Sequence, residues 1–315
     1  MRREKLMRLE RVARMYYEQQ LSQAEIAQTL GISRPLISRL LSEAREAGVV
    51  EVKIHSKLPT GLLTLEEAQS VFEIGGGGLV VDGSDDRSTN QALGERALGL
   101  IDELGGGRLG LGWGQVIGIM VADLEARPAV RGPIVSICPL VGNFGVPIRY
   151  YHSNENVRIM AQQTKSSPYF LHTPAFAETR SELDLIYQTA HYQAIRREWD
   201  RLDIALVNIS NHPSTPDFAS GARYGDRLIQ HRAVGRMIAY YFNVAGQIID
   251  SDQDFVIQIP VEPLRAAPKV IGICAANVGV RALIGALRTG VITHIVARES
   301  LVKQALAVAK NAISS

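Results

Sequence analysis

The chain has 315 residues, of which 46% are hydrophobic and 21% are charged, and no run of eighteen uncharged apolar residues occurs, so we expect no membrane-spanning helix. This length predicts two domains, or one domain with a small appendage, and ample core. The net charge of +2 is unevenly divided: residues 1–57 carry eleven Lys and Arg against seven Asp and Glu, and the remainder carries twenty-three against twenty-five. Only the first segment has the sign expected of a phosphate-binding surface.

The N-terminus, MRREKLMRLERVARM, is charged and amphipathic and has no apolar signal segment, which predicts a cytoplasmic protein. The two cysteines, Cys138 and Cys274, lie in apolar runs. This setting predicts small buried side chains and neither a disulfide nor a metal site. The histidines show no metal-ligand spacing, and we expect neither a bound metal nor a cofactor.

Residues 6–17 carry apolar side chains at helical spacing, and 21–50 predicts two further helices joined by a tight turn. Ser22 and Glu25 have the spacing of a capping box at the start of the first helix of this pair. Gly31 supplies the left-handed residue that ends it. The three segments together predict a small helical domain.

The second helix of the pair has the composition of a DNA recognition helix. It begins at Ser33, and Pro35 lies in its first turn, where a missing N–H costs nothing. A helix-turn-helix module contacts base edges with this part of its second helix, and arginine or serine there bonds guanine or phosphate. We expect DNA contacts from Ser22, Gln23, Ser33, Arg34, Pro35, Ser38 and Arg39. The alternative is a helical hairpin with a solvated basic face.

Four segments lead from this module to the rest of the chain. Alternating residues at 49–55 predict a short strand or wing, 55–61 has linker composition, and 62–72 predicts an amphipathic helix. The glycines at 75–78 lack the lysine and hydroxyl of a phosphate-binding loop and indicate a flexible joint. The predicted domains are residues 1–57, a linker with a short helix at 58–78, and residues 79–315.

From residue 79 onward, apolar strands alternate with helical patterns. Strands are predicted at 79–82, 108–114, 134–142, 203–210, 270–277 and 294–297. Helices are predicted at 90–104, 115–124, 154–164, 180–197 and 299–310, and one more follows the strand at 270–277 and ends at 287. Near-continuous apolar strands predict a mostly parallel sheet covered on both faces. The fold class is therefore α/β, with an all-α helix-turn-helix domain before a larger α/β domain.

Ligands of such sheets bind in the crevice beyond the carboxyl ends of the strands. In this chain four loops follow predicted strands at that edge, and each contains glycine or polar residues. The candidate ligand loops are 112–115, 142–146, 210–223 and 275–279.

These segments resemble the SorC/DeoR-type sugar-binding bacterial transcriptional regulators. The likeness covers nearly the whole chain, in the stretches 11–54, 110–116, 139–143, 232–246 and 275–299. It implies a DNA-binding domain joined to an effector domain that is similar to glucosamine-phosphate deaminases and ribose-phosphate isomerases. It also implies a response to a sugar, commonly phosphorylated, and assembly as a tetramer.

The chain departs from this family's pattern in the effector loops. The turn 112–116 lacks two hydroxyls, Asn143 stands where the family has a second glycine, Arg236 replaces an aspartate and Gly279 replaces a lysine. A phosphosugar site relies on such lysine and hydroxyl groups. We therefore expect a neutral sugar, a polyol, or a sugar acid paired with Arg236. A phosphosugar stays open, because backbone N–H groups do not depend on side chains.

The resemblance places the effector-binding residues on the glycine turns and the later blocks. The candidates are Gly112, Trp113, Gly114, Gln115, Gly142, Asn143, Phe144, Arg236 and Asn277. His152 and His172 are the histidines whose loop settings best suit a ligand contact.

The leading hypothesis is a transcriptional regulator whose binding to a double-stranded DNA operator is controlled by a small carbohydrate effector. We expect a homotetramer, a dimer of dimers, without membrane contact. The alternative is a sugar-phosphate isomerase or deaminase-like enzyme, because fold does not decide function. Asp82, Asp85 and Asp86 are its candidate acid–base groups, but their glycine-bearing loop indicates solvated turn residues, so we expect no catalytic residue.

Overall fold

The computed structural model describes residues 3–50, 61–214 and 220–313. The chain forms two compact units, which divide between Leu58 and Pro59. The predicted strand or wing at 49–55 and the predicted linker at 55–61 fall mostly on residues 51–60, which lie outside the described residues.

In its described residues, 3–50, the N-terminal unit has three helices, α1 (Arg3–Tyr17), α2 (Gln23–Leu30) and α3 (Arg34–Glu46). The Ser22 hydroxyl accepts a hydrogen bond from the Glu25 N–H at 3.3 Å, and the Glu25 carboxylate accepts one from the Ser22 N–H at 2.8 Å. The predicted capping box is therefore present. Gly31 has a φ of 62° and ends α2, as the turn requires.

Apolar side chains from all three helices meet in one small core. Its fully or nearly fully buried members are Leu9, Val12, Ala13, Met15, Ile26, Ile37, Leu40, Leu41 and Ala44. The helical spacing of these residues is the pattern from which the helices were predicted.

The larger unit contains a nine-stranded sheet within the described residues. Its strands are β1 (Gly76–Val80), β2 (Gly107–Leu111), β3 (Ile134–Pro139), β4 (Ser167–Pro168), β5 (Ile204–Asn211), β6 (Ala233–Met237), β7 (Tyr240–Asn243), β8 (Lys269–Cys274) and β9 (His294–Arg298). Its helices are α4 (Leu62–Phe72), α5 (Asp86–Glu103), α6 (Gln115–Glu125), α7 (Ser153–Thr164), α8 (Arg180–Gln188), α9 (Ala190–Trp199), α10 (Ser220–Tyr224), α11 (Arg227–Gln230), α12 (Val261–Ala266), α13 (Val280–Arg288) and α14 (Glu299–Ile313), with a 3-10 turn at Arg149–Tyr151.

The strand order is β1-β9-β8-β5-β2-β3-β4, and every pair along this path is parallel. β6 pairs antiparallel with the end of β5 and with β7. Helices α5, α6 and α7 pack on one face of the sheet, and α4, α9, α13 and α14 pack on the other. Each face has its own apolar core. The predicted α/β architecture, with a mostly parallel sheet covered on both sides, is confirmed.

The glycine run at 75–78 is not a flexible joint, and the first strand lies earlier than the predicted 79–82. β1 begins at Gly76 and pairs in register with β9. A Cβ on Gly77 would lie 2.2 Å from the Ile295 carbonyl oxygen, and a Cβ on Gly78 would lie 2.2 Å from the Arg96 side chain. The glycines are required because an edge strand packs closely against its neighbours here.

Two further predictions need correction. The helix predicted at 180–197 is two helices, because Thr189 ends α8 and caps α9 by accepting a hydrogen bond from the Tyr192 N–H at 3.2 Å. The hairpin of β6 and β7 was not predicted. Its two-residue turn consists of Ile238 and Ala239, and Ile238 has a φ of 51°. Apolar turn residues give no sequence signal for a hairpin.

Candidate functional site

The N-terminal half of α3 presents an accessible polar and basic side. The residues predicted to contact DNA from this helix are all exposed, and they are Ser33, Arg34, Pro35, Ser38 and Arg39. The apolar residues of the same helix form the core described above. A recognition helix needs this division, because one side must anchor it while the other reaches base edges.

Ser22 and Gln23 lie at the start of α2. Ser22 is exposed, Gln23 is half-buried, and the Ser22 hydroxyl caps the helix. The first helix of such a module crosses the DNA backbone, and helix N-termini attract phosphate. These two residues are therefore suited to a phosphate contact and not to reading bases.

Glu43 links α1 to the basic side of α3. Its carboxylate lies 2.8 Å from Lys5 Nζ and 3.1 Å from Arg39 Nε. The hydrogen bond from Lys5 is the main cause of the lowered pKa of Glu43. The Arg39 side chain is nevertheless 78% exposed, so its guanidinium stays accessible to DNA.

A cavity of about 350 Å³ lies at the carboxyl edge of the central strands of the larger unit. The carboxyl ends of β2, β5 and β8 meet there. The β6–β7 hairpin lies beside them, because β6 pairs antiparallel with the end of β5. Open α/β sheets bind ligands at this edge. The described lining residues are Gly114, Gln115, Val116, Tyr151, Asn208, Ile209, Ser210, Asn211, Pro213, Ser214, Arg236, Ala275 and Asn277.

The N-terminus of α6 forms one wall of this cavity. Gln115 and Val116 are the first two residues of the helix, and both line the cavity. The first N–H groups of a helix have no partner within it and attract anions. Gly114 has a φ of 117°, and a Cβ on it would lie 3.2 Å from the Asn208 amide. Glycine is therefore needed here for backbone geometry and for close approach.

The end of β5 supplies buried polar groups. Asn208 is 3% exposed, and its Nδ2 donates a hydrogen bond to Ser210 Oγ at 3.0 Å. Asn208 Oδ1 is buried and accepts no hydrogen bond from the residues that the structure describes. A buried acceptor in this state is unfavourable, so its place in the cavity wall suits a donor group of a ligand.

Asn277 belongs to the loop after β8, which two amides hold in place. Asn211 donates to the Asn277 carbonyl oxygen at 2.8 Å and accepts from the Gly279 N–H at 2.9 Å. Asn90 Oδ1 accepts from the Ala276 N–H at 2.8 Å. These bonds fix the backbone of Asn277 while its exposed side chain lines the cavity.

Arg236 places a buried cation in the cavity wall. It is 2% exposed and lies on β6, directly opposite Ser210 of β5. Burial lowers the pKa of the Arg236 guanidinium to about 10, and the nearby Tyr241 and Tyr151 hydroxyls oppose this effect. A group with this pKa stays protonated near neutral pH, so the cavity carries a positive charge.

A second buried arginine, Arg223, lies close enough to Arg236 to lower its pKa further. The Arg223 guanidinium is 2.7 Å from an Asp254 carboxylate oxygen and 4.3 Å from the centre of the Phe176 ring. Tyr224 also donates to Asp254, at 2.5 Å. Arg223 is thus neutralised by a carboxylate, whereas the groups that favour the charge of Arg236 are two tyrosines.

The structure brings four of the candidate residues together around the cavity, namely Gly114, Gln115, Arg236 and Asn277. The other candidates lie away from its lining, and they are Gly112, Trp113, Gly142, Asn143 and Phe144. Trp113 is fully buried, donates to the Ile238 carbonyl oxygen at 3.4 Å and packs edge-on against Tyr151, with ring centres 5.7 Å apart. Its place is therefore one layer behind the cavity wall.

The second glycine turn also serves the backbone of the fold. A Cβ on Gly142 would lie 2.1 Å from the Pro174 carbonyl oxygen. Asn143 Oδ1 accepts a hydrogen bond from the Asn154 N–H at 3.2 Å. The side chains of Asn143 and Gln115 therefore do not converge on one spot, because the first is used to hold a loop against α7.

Five polar lining residues were not named individually as candidates, although three of them lie in the predicted ligand loop 210–223. The five are Tyr151, Asn208, Ser210, Asn211 and Ser214. The stretch DIALVNIS gave a usable signal for two of them, since polar residues in an otherwise apolar parallel strand are unusual. Asn208 and Ser210 are two apart, so both face the same side of β5. Tyr151 follows the predicted ligand loop 142–146 and lies in the 3-10 turn after it.

Two of the three acid–base candidates of the enzyme alternative, Asp82 and Asp85, have structural roles. Asp82 accepts a hydrogen bond from Arg298 at 2.7 Å, Asp85 caps α5, and Asp86 is exposed in its first turn. His152 bonds the Val146 carbonyl oxygen, and His172 packs beside Phe170, so neither belongs to the described lining. Among the residues that the structure describes, no group of His, Cys, Asp or Glu side chains is arranged to hold a metal ion. Both cysteines are buried thiols, and burial raises their pKa values.

Two family models match the chain. The sugar-binding domain family matches residues 69–307, and the Crp-like helix-turn-helix family matches residues 4–63. The first match covers most of the chain. No helix in the described part of the chain has the length and apolar character needed to cross a bilayer.

Known relatives match over almost their whole length. The sorbitol operon regulator of Klebsiella pneumoniae is 28% identical over 297 residues, which cover 91% of this chain and 93% of the relative. The deoxyribonucleoside regulator of Bacillus subtilis is 25% identical over 288 residues, with 87% and 89% covered. The transcriptional regulator LsrR of an Enterobacter species is also 25% identical, with 95% and 92% covered.

Solved structures give the same result. The crystal structure of the full-length sorbitol operon regulator SorC of Klebsiella pneumoniae superposes with a TM-score of 0.71 at 27% identity, and covers 96% of this chain and 99% of that one. A probable sor operon regulator of Shigella flexneri has a TM-score of 0.68 at 24% identity over 79% of this chain and all of that one, which is evidence for the fold alone.

Proposed function

This chain belongs to the sugar-binding domain family of SorC-type transcriptional regulators, and from that premise we propose a function for each of its two sites. The chain is a DNA-binding regulator whose operator binding responds to a carbohydrate-type effector. The matches to regulators over both domains favour this function over the isomerase-like enzyme. We propose that the helix-turn-helix reads the operator and that the cavity beside α6 binds the effector.

On the DNA side, we propose that Arg34, Ser38 and Arg39 reach base edges or phosphates in the major groove, with Ser33 and Pro35 at the leading end. Ser22 and Gln23 would hold the phosphate backbone. Exposure of Ser22 and of the five residues at the leading end of α3 supports this assignment. The excess of only four positive charges in residues 1–57 means that one copy binds weakly.

We infer that the protein works as a homotetramer, a dimer of dimers, in the cytoplasm. Helix-turn-helix proteins usually bind paired half-sites as dimers, and each dimer doubles the modest positive charge of one unit. Operator DNA is in the cytoplasm, so the regulator is placed there. Sedimentation of the full chain should give a mass of about four times 34.5 kDa. A stable monomer bound to the operator would refute the tetramer.

The observation that carries the effector assignment is the convergence of buried polar groups at one cavity. Asn208, Arg236 and the first residues of α6 come from three separate elements and meet at the carboxyl edge of the sheet. Ligand sites of this kind combine a concave wall with a few fixed polar groups. The effector would change operator binding by binding one of two states of the protein more tightly than the other.

The cavity assignment can be tested by closing the cavity. A ligand found by thermal-shift screening of sugars, polyols, sugar acids and their phosphates should raise the melting temperature of the wild type by mass action. A Gly114→Val protein that still melts in one cooperative transition should not show that rise, because its side chain would occupy the space beside Asn208.

The matched control is Gly145→Val, since a Cβ on Gly145 meets nothing within 4 Å. It should keep the full ligand response. Equal stabilisation of both variants would place the ligand elsewhere and would refute the cavity.

A further inference from the structure

The charge of the cavity wall defines which class of effector it suits. Among the described lining residues, Arg236 is the one with a charged side chain. A carboxylate carries a single negative charge, whereas a phosphate monoester carries about −1.5 to −2 near pH 7. The guanidinium supplies one full positive charge, which one carboxylate balances with paired hydrogen bonds, and no lysine in the described lining is present to balance the second charge of a phosphate.

The position of Asn208 adds a second requirement. Asn208 and Ser210 are two residues apart on β5, and Arg236 lies directly opposite Ser210 on β6. Residues two apart in a strand share a face, as do residues directly opposite each other in an antiparallel pair. The Asn208 amide and the Arg236 guanidinium therefore lie on the same face of the sheet, close enough for one small molecule to touch both.

The orientation of the Asn208 amide decides what it can bind. Its Nδ2 is used by Ser210 Oγ, at 3.0 Å. Its Oδ1 is buried and accepts no hydrogen bond from any residue in the described ranges. What remains is an acceptor, so the matching ligand group is a donor. A hydroxyl supplies one.

We propose that the effector is a polyhydroxy acid of about one sugar unit, whose carboxylate pairs with Arg236 and whose hydroxyl donates to Asn208 Oδ1. This inference rests on the proposed function, because it takes the cavity to be the effector site. A volume of about 350 Å³ lies at the small end of ligand pockets and fits a single sugar unit. Arg236 selects the acid over the neutral sugar, and Asn208 selects the hydroxy acid over its deoxy analogue.

The first test compares three forms of the same carbon chain. The probes are gluconate, galactonate, mannonate, arabinonate and xylonate, each with its parent aldose and the terminal phosphate of that aldose. The full chain should be stabilised by at least one acid and bind it more tightly than the matched aldose or phosphate. Binding is measured by calorimetry after a thermal-shift screen.

The matched variants are Arg236→Gln and Arg197→Gln. Both remove one positive charge, but Arg197 is exposed on α9 and lies outside the described lining. Arg236→Gln should weaken acid binding by about 30-fold or more and remove the preference over the aldose. Arg197→Gln should bind the acid as the wild type does.

The second test concerns Asn208 and starts without a mutation. The monodeoxy derivatives of the bound acid are titrated into the wild type, and the one that lacks the contacted hydroxyl should bind about 10- to 100-fold more weakly. In Asn208→Ala this difference should vanish, because the acceptor is gone. If Asn208 only held β5 in shape, the variant would weaken every acid equally and keep the difference, which would overturn its assigned role.

The outcomes separate this inference from the proposed function. Stabilisation by a phosphate or a neutral sugar but by none of the acids would overturn the acid class, while loss of that response in Gly114→Val would still uphold the cavity. A ligand that stabilises Gly114→Val as well as the wild type would refute the cavity itself. A response to none of the acids in the panel would also overturn the inference.

Discussion

The two arginines at the start of α3 stand in different settings. Arg34 is exposed at the first position of the helix. Arg39 forms an ion pair with Glu43, which also pairs with Lys5. Operator DNA must therefore compete with a carboxylate for Arg39. Surface pairs of this kind contribute little, so the competition is mild.

Replacing these arginines should weaken operator binding. Arg34→Ala and Arg39→Ala should each cost about 1–3 kcal/mol if the side chain reads a base, or lower the salt slope by about one if it holds a phosphate. Binding is measured by fluorescence anisotropy over a range of salt, with a DNA fragment from beside the gene. Arg197→Ala is the control. If both variants keep the affinity and the salt slope of the wild type, the assignment of α3 to the groove is wrong.

The buried pair of Arg223 and Asp254 should matter more for stability than any exposed pair. Its side chains are 7% and 12% exposed, so removal of one partner leaves a buried charge. Asp254→Asn should lower the free energy of unfolding by about 3 kcal/mol, measured by urea denaturation. Asp184→Asn breaks the exposed pair with Arg180 and should change it by less than about 1 kcal/mol. Equal effects of the two variants would contradict this difference in burial.

Single residues could be predicted only where their role is local. Ser22, Glu25 and Gly31 were identified because capping and turn geometry depend on near neighbours in the chain. Asn208 was missed although a polar residue in an apolar strand is a usable signal, because its role depends on Gly114 and Arg236, which are distant in sequence. For Trp113 the sequence leaves two positions open, because a tryptophan at the end of a strand faces either a ligand or the core, and only tertiary packing decides which.

Elements are formed by local patterns but positioned by contacts between distant segments. The β6–β7 hairpin illustrates this. Its Ile238–Ala239 turn contains none of the residue types that favour turns, and it is held by hydrogen bonds to the side chains of Trp113 and Gln258. β1 is another example, because its glycines make sense only beside β9. Most other helices and strands followed from periodicity, with their ends shifted by a few residues.

The contact of β1 with β9 should make stability depend on pH through His294. Burial, and then the charge of Lys269, lowers the pKa of His294, whose ring packs beside Gly75 and Gly76. The unfolded chain takes up a proton near pH 6.5, and the folded chain only at lower pH. The stabilisation is therefore complete above pH 6.5 and is lost as the pH falls towards the lower, folded pKa.

This pH dependence is measured by urea unfolding between pH 5 and pH 8. The wild type should lose stability on acidification more steeply than His294→Gln, and the two curves should run parallel above about pH 7. His231→Gln, at the exposed end of α11, is the control and should resemble the wild type. A wild type that gains stability relative to His294→Gln on acidification would contradict the burial of a neutral ring.

The whole molecule combines two units with different chemistry. The first is a small helical unit, and its sequence has a positive charge balance; the second is a large parallel sheet whose carboxyl edge holds the cavity. The α/β class and the edge that binds ligand followed from strand–helix alternation. The strand order did not, because parallel neighbours are far apart in sequence. The lining of the cavity depends on that order, so Gln115, Arg236 and Asn277 were named from the sequence, whereas Tyr151 and Asn208 were not.

The most direct measurement is the operator dissociation constant of the full chain with and without a carbohydrate that stabilises it. We expect the constant to change by about 5- to 150-fold in the wild type and not in Gly114→Val. By linkage, operator DNA should change the ligand's affinity by the same factor. An operator affinity that a cavity-bound ligand leaves unchanged would contradict effector control by this site.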